Sequence, residues 1–529
     1  VDVRKPWCRA LSAAGLLLAA VAVTGPAPAS AATGYVPAQF IAKQYTEALG
    51  RMPDQPGWQG ASGWFTEHGC TASSLASYGE SFFSSSEYAN LGYDDSARLV
   101  TLYRAALNRE PDPAGFTNWT QQLDGGLSWT TVVQKFYTSG EFTALVPRIC
   151  SGVVDGSGSS YYFGTQPAMA VPTSGAGFTG TQAQLQAALD ATPVGGTVAL
   201  ARRALVTLTA PLTVPAGVTL TTTGAPDPRH YAELGRLVRA STFNDRLVKV
   251  KGGARLANVW VDGARGNPDT WNAARDNIFT YGGSGTAVTN DRITDSQGPS
   301  NVYLLGSFDG YPCGAETVSG NLITAYASDH YANSDWTDGI SDSCEHATIT
   351  GNQVVDATDV AIVVYRETTS TAQHSVVRDN QVLSAGNSMY GGLAIDPLYE
   401  GDGGAAKTFD FSDSTIDGNQ LWSGPDTHFD IGITNGTRAW FAGHTGITAD
   451  TGTGASVTNN STGSLTARVQ IGIAVNGMLG TTVSGNSLSL VHISAGRCPK
   501  VDYAAEITAK YASGTFNPTP TDTSFDGCI

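Results

Sequence analysis

The chain has 529 residues, a formal net charge of −16, only 14% charged residues and 62 glycines. It is long enough for two or three domains and a large core. The acidic balance argues against non-specific binding to nucleic acid or to an anionic lipid surface.

The first segment reads as a secretory signal peptide. Arg4, Lys5 and Arg9 form a basic start, Leu11 to Val23 is apolar but short for a bilayer span, and Ala29-Ser30-Ala31 is a small-residue cleavage site. Cleavage after Ala31 takes away three bases and one acid, which leaves −18. Val1 is then an alternative start codon read literally. No later stretch is apolar enough to insert in a membrane, so the expectation is a secreted, extracellular protein. Six cysteines remain, Cys70, Cys150, Cys313, Cys344, Cys498 and Cys528. In an exported chain they predict up to three disulfides, sequential pairing being the simplest scheme. Cys313 and Cys344 would staple neighbouring coils of a repeat array, and Cys498 and Cys528 would tie down the tail.

Residues 34–150 carry a duplication. Tyr45-Thr46-Glu47-Ala48-Leu49-Gly50-Arg51-Met52-Pro53-Asp54 returns 58 residues later as Tyr103-Arg104-Ala105-Ala106-Leu107-Asn108-Arg109-Glu110-Pro111-Asp112. Gly57-Trp58 returns as Gly115-Phe116, and Ser-Ser-Glu87-Tyr88 as Ser-Gly-Glu141-Phe142. Apolar spacings of three and four, broken by Pro-Asp, predict a compact pair of helical repeats. The pattern resembles a helical domain of unknown function found in secreted bacterial surface proteins and extracellular enzymes, which implies at most an attachment role at a cell surface. Arg51 and Arg109 are expected to pair with the aspartate three residues on. Trp58, Trp64, Trp119 and Trp129 are expected in the core rather than on a sugar. Residues 151–174, rich in Gly, Ser and Pro, read as a linker.

From about 175 to 529 the reading is a parallel β-solenoid. Thr181 to Ala191 is a short amphipathic helix, placed to cap the open end of the array. Gly195-Gly196-Thr197-Val198-Ala199-Leu200 and Pro215-Ala216-Gly217-Val218-Thr219-Leu220 follow as strands. A phrase then recurs: Val318-Ser319-Gly320-Asn321, Ile349-Thr350-Gly351-Asn352, Val377-Arg378-Asp379-Asn380, Ile416-Asp417-Gly418-Asn419, Val457-Thr458-Asn459-Asn460 and Val483-Ser484-Gly485-Asn486, with Val288-Thr289-Asn290-Asp291 as a forerunner. The spacings from 291 are 30, 31, 28, 39, 41 and 26 residues, natural for coils that carry loops of variable length. The cap helix and the two opening strands resemble the start of right-handed parallel β-helices of the pectate-lyase-like superfamily. The fold class expected is therefore mainly β, a right-handed parallel β-helix with a separate small all-α N-terminal domain.

A second strand follows the phrase in each coil, and acids mark it at Asp338, Asp359, Asp396 and Asp430, expected on one ladder. Paired carboxylates on one ridge are what glycosidic cleavage uses, one protonating the leaving oxygen while the other activates water or attacks the sugar. The segment Asp335-Trp336-Thr337-Asp338-Gly339-Ile340 resembles the Asn-Thr-Asp-Gly-Ile strand of polygalacturonase-type glycoside hydrolases, which implies Asp338 as general acid. The family's paired aspartates are reduced here to Thr358-Asp359, and its Gly-His-Gly and Arg-x-Lys motifs have no clear match. Since Asp338 shares alternation parity with Ile340, an outward pose needs a local bend.

The expected catalytic set is Asp338, Asp359 and Asp396, with Asp335, Trp336, Tyr365, Arg366, His330 and Asp430 binding a polysaccharide or oligosaccharide. No cofactor is expected. A calcium site from Asp335, Asp338, Asp342 and Glu345 lacks any repeat motif. Two alternatives stay open: a polysaccharide lyase using Arg366 or His374 near Arg378 and Tyr365, and a non-catalytic carbohydrate-binding or adhesin scaffold. The seven Arg or Lys of residues 227–255 read as solvated surface.

Overall fold

The computed structural model describes residues 34–151, 167–240, 243–265, 270–305, 313–325, 336–366, 373–397, 407–436, 451–493 and 506–522. The expected signal peptide, most of the expected linker and Cys498 and Cys528 lie outside these residues.

From Thr197 onward every named strand pairing is parallel, and the strands stack into an 11-stranded first sheet, an 8-stranded second sheet that ends at Gln420–Ser423 and a 12-stranded third sheet, with a further 3-stranded sheet in the later coils. This is a parallel β-helix. Its interior is one apolar column of Leu, Val and Ile, including Leu220, Leu256, Val288, Val318, Ile349, Val377, Ile416 and Val457 from the first sheet. The helix Gln182–Ala191 closes the first coil with Leu185 and Leu189, as its amphipathic spacing predicts.

The recurring phrase has a physical reason at each position. Its apolar residue enters the core, and its third residue takes the left-handed conformation in every coil, at Asn290, Gly320, Gly351, Asp379, Gly418, Asn459 and Gly485. Gly, Asn and Asp visit that region most readily, which is why the phrase places them there. The following asparagine is buried and bonds its own kind one coil on. The Asn321 amide donates to the Asn352 side-chain oxygen at 2.9 Å, and the relay continues through Asn380, Asn419, Asn460 and Asn486 at 2.9–3.0 Å. Each asparagine also satisfies backbone groups on both sides, as Asn352 does for Asn321 N and Val318 O. Buried amides this fully bonded hold the corner at low cost.

The helical repeats fold as the duplication predicts. Asp54 and Asp112 cap the helices Gln55–His68 and Pro113–Asp124, each accepting from the glycine amide three residues on at 2.8 Å. Arg51 and Arg109 do reach those aspartates, at 3.4 and 3.3 Å, but their stronger partner is the glutamate of the closing motif. Arg51 grips Glu87 through two bonds of 2.7 and 2.9 Å, and Arg109 grips Glu141 at 2.5 and 3.0 Å. Each guanidinium also lies 5.0 Å from the ring of the repeat's tyrosine, Tyr45 or Tyr103. Trp58 is buried, and Trp64, Trp119 and Trp129 pack half-buried on the module's core. Cys70–Cys150 ties the module's two halves, and Cys313–Cys344 staples adjacent coils, both as sequential pairing predicts.

The module keeps its own fold but shares a core with the solenoid: Trp260, Val355, Leu383 and Trp422 from the second sheet join its apolar cluster. Buried charge crosses the same boundary. Glu47 takes Arg104 Nε at 2.6 Å and Arg292 Nη2 at 2.5 Å, while Glu110 bonds Arg104 and takes Arg236 at 2.9 and 3.1 Å. Burial pushes the Glu47 carboxyl up, but Arg104 and Arg292 outweigh it and hold it down at about 2. The ring of Trp260 lies beneath Arg236 at 3.7 Å. Arg236 and Arg239 are buried, so the basic run 227–255 is in part a docking face and not solvated surface throughout.

Candidate functional site on the third sheet

The bend that Asp338 requires is present. Along the third sheet, Ile340, Ile362, Leu393, Ile433 and Ile473 face the core, whereas Val360, Ile431 and Ile471, two residues earlier, belong to a separate outward cluster with Tyr365, Tyr390 and Trp336. Strict alternation would put both sets on one face. Between them runs a column of small residues, Gly339, Ala361, Gly392, Gly432 and Gly472, where coils approach too closely for larger side chains. A Cβ on Gly392 would stand 2.5 Å from Gly432 O, and one on Gly432 would stand 2.8 Å from Gly472 O. The column itself faces the core, so two successive positions point inward and the position before them, that of Val360, Ile431 and Ile471, emerges outward.

Asp338 occupies that outward position, opposite Val360, Gly391 and Ile431 on the following coils. It is half-buried; Oδ1 accepts from Val360 N at 2.9 Å and Oδ2 from the Ser341 hydroxyl at 2.7 Å. Asp359 is half-buried and sits one residue before Val360, so register sets it in line with Tyr390 and then Asp430. Trp336 meets Tyr390 edge to face at 4.6 Å between ring centres, and its carbonyl accepts from Trp271 Nε1 at 2.9 Å. Asp430 is fully buried and lies 3.2 Å from His428 Nε2, while His428 Nδ1 is 3.0 Å from the Ser388 hydroxyl.

Asp396 does not join them. It pairs in register with Tyr365, six residues beyond Tyr390 on the same strand, and so lies roughly 20 Å along it at about 3.3 Å per residue. The expectation of four acids on one ladder is thus corrected: Asp359 and Asp430 share a column, Asp338 stands one position off it, and Asp396 belongs to the opposite end. Tyr365 and Arg366 also sit at that far end. His330 and Asp335 lie outside the described residues. His428 escaped the sequence reading, although its place two residues before a ladder aspartate was the available signal.

At the far end the strands turn into the first sheet through a corner pocket of about 530 Å³, walled by Cys313, Ser343, Glu345, His346 and Arg366. Arg366 is buried and donates to Gln373 Oε1 at 3.0 Å, with Glu345 at 3.4 Å. His346 stacks on His374 at 4.7 Å, and Arg378 pairs with its neighbour Asp379 at 3.2 Å, so the cations named for a lyase are spread over separate environments. Asp342 is buried, accepts from Cys344 N at 2.9 Å, and is raised by burial to about 7. Four residues of strand separate it from Asp338, roughly 13 Å, too far for both to ligate one calcium ion at about 2.4 Å.

Residues 79–146 match a family model described as a domain of unknown function, DUF4214. No curated protein matches the chain. Among solved structures, the endo-xylogalacturonan hydrolase of Aspergillus tubingensis is 13% identical with a TM-score of 0.42, covering 66% of this chain and 98% of its own. The alginate lyase of Paenibacillus sp. str. FPU-7 is 12% identical with a TM-score of 0.34, covering 58% and 97%. The A-module of the mannuronan C-5 epimerase AlgE6 of Azotobacter vinelandii is 13% identical with a TM-score of 0.34, covering 63% and 95%. Likenesses of this size carry no argument about the reaction, which has to come from the site itself. Among the described residues no helix is long and apolar enough to cross a membrane.

Proposed function

We propose that the protein is an extracellular polysaccharide-active enzyme that hydrolyses glycosidic bonds with Asp338 and Asp359. The observation that carries this reading is the pairing of two half-exposed carboxylates on adjacent coils beside the Trp336–Tyr390 aromatic edge. Coil spacing and the one-residue offset set their backbones about 6 Å apart, within reach of the carboxyl separation of about 5 Å used in double displacement with retention. Both Asp338 oxygens accept hydrogen bonds, the pattern of an ionised carboxylate, so Asp338 takes the part of nucleophile and Asp359 that of acid and then base. This reverses the part that the polygalacturonase resemblance assigns to Asp338. Trp336, half-buried against the fully buried Tyr390, offers an apolar face for a sugar ring, and a cell-surface role for the helical module falls to the faces it turns away from the solenoid.

A second reading rests on the same two bonds. They tie Asp338 to its own strand and to the next coil, which is also what a purely structural aspartate does in a glycan-binding scaffold. Incubation of the purified protein with a polysaccharide panel separates the cases. Reducing ends that appear with the native chain and fall ~100-fold in Asp338→Asn and in Asp359→Asn support hydrolysis. Saturable binding with no product supports the scaffold, and unsaturated products absorbing in the ultraviolet support elimination at Arg366.

A further inference from the structure

The corner pocket at the far end of the third sheet holds a combination that the hydrolase reading does not use. Cys313 is half-buried and lines the pocket, while its disulfide partner Cys344 is fully buried in the solenoid core. Glu316, immediately before the first-sheet strand Thr317–Ser319, is 1% exposed, and a carboxylate oxygen and both sulfurs lie within 4.8 Å of one another. Neither carboxylate oxygen has a side-chain partner or a well-aligned hydrogen bond among the described residues, and the amides of Gly314 and Glu316 favour its charged form less than burial opposes it. A carboxyl buried with so little compensation is costly, and one aimed at a disulfide needs a reason to persist. Among the described residues this sulfur–carboxylate grouping occurs at Cys313–Cys344 and not at Cys70–Cys150.

We infer that Cys313–Cys344 is an exchange site for a small thiol, with Cys313 the sulfur attacked, Cys344 the sulfur released and Glu316 the proton donor to it. The incoming thiolate forms a bond to Cys313 Sγ as the Cys313–Cys344 bond breaks. The electron pair leaves on Cys344 Sγ, which takes the Glu316 proton and becomes a thiol; the Glu316 carboxylate recovers a proton from water. The product is a mixed disulfide on Cys313 and a buried thiol at Cys344, and the co-reactant is the thiol itself. Burial raises the Glu316 carboxyl to about 7, so it retains a proton to give near neutrality. Arg366 and Glu345, 3.4 Å apart in the pocket wall, offset one another, so the pocket admits a small thiolate without selecting a further charge on it. Exchange would release the staple between two coils while the backbone bond from Ala315 N to Glu345 O, 2.8 Å, keeps them paired.

The test uses the intact folded chain with glutathione, followed by alkylation of free thiols and peptide mass mapping. The expected result is an adduct on Cys313 with Cys344 alkylated, formed ~10-fold or more faster than opening of Cys70–Cys150, and slowed ~10-fold in Glu316→Gln without change at Cys70–Cys150. An adduct on Cys344, equal rates at the two disulfides, or an unaltered rate in Glu316→Gln overturns the inference. Should that variant fail to fold, the choice of sulfur and of disulfide in the native chain decides the matter.

Discussion

On the flank of the second sheet, Glu47, Glu110 and Asp262 meet Arg104, Arg236 and Arg292 over the rings of Tyr231 and Trp260, all of them buried. On the outward end of the third sheet, Asp338 accepts from an amide and a hydroxyl, and Asp359 stands half-buried beside it at the rim of an aromatic pair. Charge in the first region is matched and dry, which suits holding two bodies together. The second keeps carboxylates partly in solvent, where removing one costs the fold little and a ligand can reach it. The difference separates acids that hold the structure from acids that the proposed reaction would use.

Removing residues 34–150 breaks the comparison most severely, because it strips Trp260, Val355, Leu383 and Trp422 of their cover. The shortened chain is expected to aggregate, as judged by size-exclusion chromatography; a soluble, cooperatively folding solenoid would show that the interface is dispensable. Glu47→Gln leaves Arg104 and Arg292 without their shared anion and should cost about 3–5 kcal/mol in urea unfolding. The matching change on the other face, Asp338→Asn, removes bonds of a half-exposed group and should cost about 1 kcal/mol. Equal losses in these two variants would erase the distinction.

The dry face also has a pH signature. Lys43 is fully buried there, and burial lowers its amine to about 7. Between pH 7 and 10.5 the unfolded chain binds a proton that the folded chain has released, so stability rises with pH across that window by at most about 1.4 kcal/mol per unit. Lys43→Met should flatten that rise. Glu316 has the opposite sign: its raised carboxyl contributes stability that is present below about pH 4.5 and lost as pH rises through 7, and Glu316→Gln should remove this smaller slope.

Much of the scaffold was legible because it is local and repeated. The left-handed third position of the phrase and the asparagine after it report directly on each corner, and the cap helix shows its own apolar stripe. The docking of the module was not legible, since Glu47 meets Arg292 across 245 residues and no periodicity links them. The duplication exposed Arg51 and Arg109 but named the lesser partner, because the glutamates that grip them lie 36 and 32 residues downstream. Asp338 was found through a short motif, and its need for a bend followed from alternation alone. Asp396 stands off the expected ladder because an acid beside an apolar run does not disclose register: it ends an eight-residue strand whose other end carries Tyr390.

The central claim is that Asp338 serves chemistry and not the fold. It is tested most directly by measuring reducing-end release and urea stability on the same preparations of the native chain and Asp338→Asn. The account predicts activity lower by ~100-fold with stability within about 1 kcal/mol. Undiminished activity in the variant, or a stability loss as large as that of Glu47→Gln, would contradict it.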